Sequence, residues 1–173
     1  MRCQCREIAQ WRIVNNPRPN KIASAYKFSD RLVLHSFGQT PAGFYVACEP
    51  YLILPRDATA QDLGHAVQAA VARFCAEILQ PTDWKQTTAA YVRGVGARSH
   101  RKLQETSVCC GIAECRDRIE FEPSHNGGTS GDTKGFQPIP DAKISISANS
   151  TPIEIGTALF EGFARCTTIY EQF

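Results

Sequence analysis

Residues 59–74, TAQDLGHAVQAAVARF, decide how this chain is read, because residues 151–166, TPIEIGTALFEGFARC, repeat them without a gap after an offset of 92. Thr59/Thr151, Gly64/Gly156, Ala66/Ala158, Ala72/Ala164 and Arg73/Arg165 are identical, and Asp62/Glu154, Leu63/Ile155, Val67/Leu159 and Val71/Phe163 are close substitutes. Each copy opens with T-x-x-D/E, the pattern of a capping box. The hydroxyl accepts from the backbone N–H three residues on, and the carboxylate reaches back. Pro152 falls at a first helical position, where a missing N–H is no loss. Apolar or small residues follow at Leu63, Ala66, Val67, Ala70, Val71 and Phe74, and again at Ile155, Ala158, Leu159, Gly162, Phe163 and Cys166. Spacings of three and four place each set on one buried stripe of a helix. An early glycine costs a helix roughly 1 kcal/mol relative to alanine. The expected use of Gly64 and Gly156 is close approach of each helix to a neighbouring strand.

Strands precede both helices. Residues 44–48 (FYVAC) and 51–54 (YLIL) are β-rich and stop at Pro50 and Pro55, and 144–147 (ISIS) alternates with period two. Further upstream lie 31–37 in the first half and 108–112 and 118–122 in the second. Each half therefore reads as strands and then a helix. The expected fold is α+β, a mixed or antiparallel sheet with helices on one face, built from two pseudo-repeats. A lone helix cannot bury its stripe, but two such units can cover one shared sheet. The organisation that follows is a single domain over 1–173, with pseudo-repeats at about 28–80 and 108–173 and a connector at 81–107. Within the connector, residues 97–104 suit a short helix. Residues 13–22 read as a second connector and 124–135 as a Gly-rich loop.

Composition narrows the function classes. No run approaches the ~18 apolar residues of a membrane span, and the N-terminal stretch lacks the apolar core of a secretory signal. A cytoplasmic chain is expected, with its eight cysteines reduced. Net charge is +2, but residues 108–173 carry five Lys/Arg against nine Asp/Glu. That acidic third suits a basic protein partner better than nucleic acid.

No cofactor or metal is expected. Cys3 and Cys5, and Cys109, Cys110 and Cys115, do not match paired C-x2–4-C zinc spacing. Adjacent residues in a strand also point to opposite faces. Cys48, Cys75 and Cys166 read as small core residues. The Gly-rich loop has Lys134 but no following helix, so it lacks the geometry of a phosphate cradle. His100 and His125, with Arg101 or Lys102, would make a metal-independent ribonuclease if brought together. The basic cluster Lys85, Arg93, Arg98, Arg101 and Lys102, with Trp84 and Tyr91 for stacking, would make an RNA-binding segment. Glu114, Asp117, Glu120 and Glu122 crowd one hairpin, with Glu120 and Glu122 on the same strand face and Phe121 on the other. These four, with His125, are the candidates for contact with a protein partner.

The segments YLILPRDATAQDLGHAV, ARSHRKLQETSVCCGI, IEFEPSH…GF and ISISANSTPIEIGTALFEGFARC resemble the CdiI immunity proteins of bacterial contact-dependent growth inhibition, over roughly residues 28–166. The resemblance implies a cytosolic antitoxin, not an enzyme. Its partner would be the C-terminal toxin domain of an exported effector, often a nuclease that cuts tRNA, held one-to-one. No membrane, nucleic-acid or small-molecule partner is implied, and no catalytic residue carries over. The shared residues Leu63, Gly64, Ala66, Ile155, Gly156 and Ala158 are scaffold, so the resemblance does not locate the toxin-facing surface.

Overall fold

A computed structural model describes residues 21–171. Cys3, Cys5 and most of the 13–22 connector lie outside them. The elements run β1 (Lys21–Lys27), β2 (Arg31–Gln39), β3 (Tyr45–Pro55), α1 (Ala60–Ala72), α2 (Trp84–Gly94), α3 (His100–Glu105), β4 (Val108–Cys115), β5 (Arg118–Asn126), β6 (Phe136–Pro138), β7 (Ile144–Ser147), α4 (Pro152–Arg165) and β8 (Thr167–Thr168). Lys21 and Ile22 thus open a strand and are not connector.

The sheet order is β3-β2-β1-β4-β5-β6, with β7 and β8 also pairing β5. Every pairing is antiparallel except that of β8. The order mirrors itself about the β1–β4 pair, where Ser24 registers with Gly111. From that centre outward the first half contributes β1, β2 and β3, and the second contributes β4, β5 and then the short strands that pair β5. β2 pairs β3 along its whole length, with a register shift between Leu34 and Ser36. In the second half the same job is split: β5 pairs β7 at residues 118–121 and β6 at 124–126. The two short strands expected at 44–48 and 51–54 are accordingly one strand, β3. It bulges at Glu49–Pro50–Tyr51, a place where a strand tolerates proline. The symmetry extends past the helices. Cys75 bridges Gly38 in parallel, as Thr167 bridges His125.

Both capping boxes form, with Thr59 and Asp62 at α1 and Thr151 and Glu154 at α4. The two helices lie side by side on one face of the sheet. Leu63, Val67, Val71, Ile155, Leu159 and Phe163 pack there on Ala23, Leu32, Leu34, Cys110, Ile112 and Phe121. The glycines serve a different neighbour from the one expected. A Cβ on Gly64 would lie 1.8 Å from the Pro152 carbonyl oxygen, and one on Gly156 1.8 Å from that of Ala60. They let helix meet helix. Cys109 and Cys110 point to opposite faces, as strand neighbours should. Of the three cysteines expected in the core, Cys166 is buried, Cys48 half-buried and Cys75 exposed.

The connector supplies two further helices on the second face. Tyr91, Val92 and Val95 at the end of α2, and Leu103 of α3, pack on Tyr26, Phe28, Val33 and Cys109. His35 is fully buried beneath them, its ring 5.6 Å from Tyr91 and 5.4 Å from Tyr51.

Candidate protein-interaction surface

Asp83 begins α2 by accepting from the Gln86 N–H at 2.9 Å. Its buried residues, Tyr91 and Val92, lie near its end. There the Tyr91 and Tyr26 hydroxyls meet at 2.5 Å inside the protein, and Arg31 donates to the Val95 and Gly96 carbonyls. Gly94 receives the Tyr51 ring so closely that a Cβ would stand 2.0 Å from it. The last turn is therefore fastened to the sheet, while the first turns carry polar Lys85, Gln86, Thr87 and Thr88. A cleft of about 390 Å³ opens between those first turns and β3. Ala47, Glu49 and Tyr51 form its β3 wall, Asp83, Gln86, Thr87, Ala90 and Tyr91 its α2 wall, and Pro81 and Thr82 its end.

Three properties suit this region to binding another chain. The outer edge of β3 pairs with no strand among the described residues, so its backbone groups are available. Large apolar side chains stand exposed near it. Phe44 is 56% exposed, its ring edge-on to Trp84 at 5.8 Å, and Ile53 on β3 is 59% exposed. Glu49 and Asp83 bring negative charge and enter no ion pair among the described residues. Burial, and then the Glu49 carboxylate, push the Tyr51 phenol up to about 12.

The acidic residues singled out in the sequence lie elsewhere. Glu114 pairs with Lys21 at 2.7 Å. Asp117 sits in the β4–β5 turn, 86% exposed, with Arg118 beside it at 3.8 Å. Glu120 and Glu122 do share one face, with Phe121 buried on the other. Lys143 reaches both, at 2.9 Å each. Glu120 is only 7% exposed, and β5 is flanked on both sides by other strands. The hairpin's negative charge is therefore locally balanced. His125, at the far end of β5, hydrogen-bonds Thr167 through Nδ1 at 2.8 Å.

The other constellations do not converge. His100 opens α3, whereas His125 lies in β5 with its Nδ1 engaged by Thr167. In the basic segment Tyr91 is in the core, and Arg101 and Lys102 share Glu105 at 2.6 and 2.7 Å. No group of three or more potential metal ligands occurs among the described residues. No helix among them is long and apolar enough to cross a membrane.

A family model described as CDI immunity protein, CdiI, matches residues 21–166. The chain belongs to the CdiI family. The match takes in every strand of the sheet except β8, and both repeat helices of this CdiI-family chain. Two solved structures are similar to it. One is a protein of unknown function from Neisseria meningitidis, at 19% identity and a TM-score of 0.68, covering 89% of this chain and 99% of that one. The other is a CdiA-CT/CdiI toxin and immunity complex from Yersinia pseudotuberculosis, at 16% identity and a TM-score of 0.67, covering 85% of this chain and 97% of that one. At such identities the likeness is one of fold. No curated protein matches the chain. The cleft of this CdiI-family chain was not legible beforehand, although Asp83-x-x-Gln86 is itself a capping signal.

Proposed function

We propose that this chain is a cytoplasmic immunity protein that binds its cognate toxin domain one-to-one. The toxin is the C-terminal nuclease, a tRNase, of a contact-dependent inhibition effector. Neutralisation is by stoichiometric capture, without turnover. The cleft between β3 and α2 is the observation that carries the docking site. It joins a free strand edge, exposed Phe44 and Ile53, and the carboxylates of Glu49 and Asp83. A nuclease needs a cationic surface for its phosphate-rich substrate, and an unbalanced acidic cleft is complementary to it. The Yersinia neighbour, a toxin and immunity complex, supports a toxin as the partner of this fold.

A second placement uses the β4–β5 hairpin, through exposed Asp117 with Glu114, Glu120, Glu122 and His125. Hydrogen exchange separates the two. The cognate toxin domain is mixed with this chain, and one-to-one stoichiometry is read by native mass spectrometry. Protection over residues 45–55 and 83–91 is expected. Protection over 114–125 alone would move the site to the hairpin. Undiminished tRNA cleavage at excess of this chain would end the neutralisation reading, and a free toxin domain that leaves tRNA intact would end the tRNase reading.

A further inference from the structure

The cleft has a wall chemistry that specifies its occupant. Tyr51 and Tyr91 contribute aromatic walls and Glu49 and Asp83 contribute carboxylates. The two carboxylates are not equivalent. Asp83 Oδ1 already accepts the Gln86 N–H, and Asp83 sits against the positive end of α2. Its charge is partly compensated from within the helix. Glu49 has no such partner. It is exposed, lies in the bulge of β3, and its carboxylate enters no hydrogen bond or ion pair among the described residues. A cationic side chain between aromatic rings and a carboxylate gains from both, because the ring faces carry negative potential. An apolar side chain would leave Glu49 without a partner, and an acidic one would be repelled.

Resting on the docking reading above, we propose that the cleft takes one arginine or lysine side chain of the toxin, with Glu49 as its counter-ion and the Tyr51 and Tyr91 rings as its walls. The guanidinium of arginine fits better, since it stacks on rings and engages a carboxylate through two N–H groups at once. Capture of a substrate-binding cation in this way removes from the nuclease a charge it needs for RNA.

The test is calorimetric titration of the cognate toxin domain against wild type, Glu49→Gln and Glu49→Lys, with thermal melts to check folding. Glu49 is exposed, so all three should melt alike. Glu49→Gln should weaken binding about 10-fold and Glu49→Lys about 100-fold. The affinity of Glu49→Gln should also depend less on salt than that of wild type. Each toxin Arg or Lys is then changed to Glu and titrated against Glu49→Lys, and one such reversal should restore affinity. If both Glu49 variants bind like wild type, the cation inference is overturned and the immunity reading stands. If wild type itself does not bind the toxin, the immunity reading falls and takes this inference with it.

Discussion

Gly64 and Gly156 are reciprocal: each stands where a side chain would strike the first turn of the other's helix. The obstacles are the Pro152 and Ala60 carbonyl oxygens, both 1.8 Å from where a Cβ would be. This contact is where the pseudo-twofold relation between the halves of the sheet passes through the helix layer. It explains why both copies keep a residue that helices disfavour.

Alanine at either position should therefore destabilise the fold. Helix propensity alone favours alanine by roughly 1 kcal/mol. Forcing a methyl against backbone in a packed site costs about 1–3 kcal/mol, or more where nothing can move. A carbonyl at 1.8 Å leaves no room, so the steric effect should win. Gly64→Ala and Gly156→Ala should each lower the urea midpoint. The double variant should lose less than the sum, because one separation of α1 from α4 relieves both clashes. Strict additivity would mean that the two sites yield independently.

His35 should impose an acid limit on stability. Its Nδ1 donates to the Ser36 carbonyl at 2.9 Å, which leaves Nε2 a bare acceptor with no partner in the core. Burial holds the imidazole neutral, lowering its pKa from 6.5 to about 4. Between those values the unfolded chain binds the proton and the folded chain does not. Stability therefore falls as pH drops through that window, by about 3 kcal/mol in all at ~1.4 kcal/mol per pH unit. In His35→Phe the urea-derived stability should lose one proton's worth of this slope between pH 6.5 and 4. An unchanged slope would place the titration elsewhere.

How much of this was legible depended on whether the signal was local. The capping boxes at Thr59 and Thr151 and the apolar stripes behind them lie within single helices, and both helices form as read. β1 went unread because its centre, Ala23-Ser24-Ala25, is buried on both faces and shows no alternation. α2 went unread because its buried residues, Tyr91 and Val92, are confined to the last turns and leave no stripe along the helix. The shared face of Glu120 and Glu122 followed from strand geometry. Their neutralisation by Lys143 did not, since it depends on how β7 docks against β5. The cleft needs Glu49 from one half and Asp83 from the connector, a pairing that only the packing of α2 creates.

Lys143 bridges two carboxylates that would otherwise repel each other on one strand face. Removing the lysine alone should cost about 1–3 kcal/mol, because nearly buried Glu120 loses its partner. The loss is moderated by water at the half-exposed ammonium. The triple variant Glu120→Gln, Glu122→Gln, Lys143→Met should recover most of it, since no charge is left uncompensated. Urea titration of the two variants checks the order. A triple variant as weak as Lys143→Met would show that the ion group adds more than mutual neutralisation.

The Tyr26–Tyr91 hydroxyl pair should control how firmly α2 is held. Burial pushes both phenols well above their usual range, so both stay protonated at any working pH. Tyr91→Phe leaves the Tyr26 hydroxyl buried without that partner, a loss of about 1–3 kcal/mol. The double variant Tyr26→Phe, Tyr91→Phe should be less destabilised than Tyr91→Phe, because neither hydroxyl is then left behind. The Tyr91 ring still lines the cleft in both, so toxin affinity should stay near wild type once the protein is folded. Tyr51→Ala removes a wall and should weaken binding by about 10-fold. Equal loss of affinity in Tyr91→Phe and Tyr51→Ala would mean that the toxin responds to the position of α2 and not to the rings.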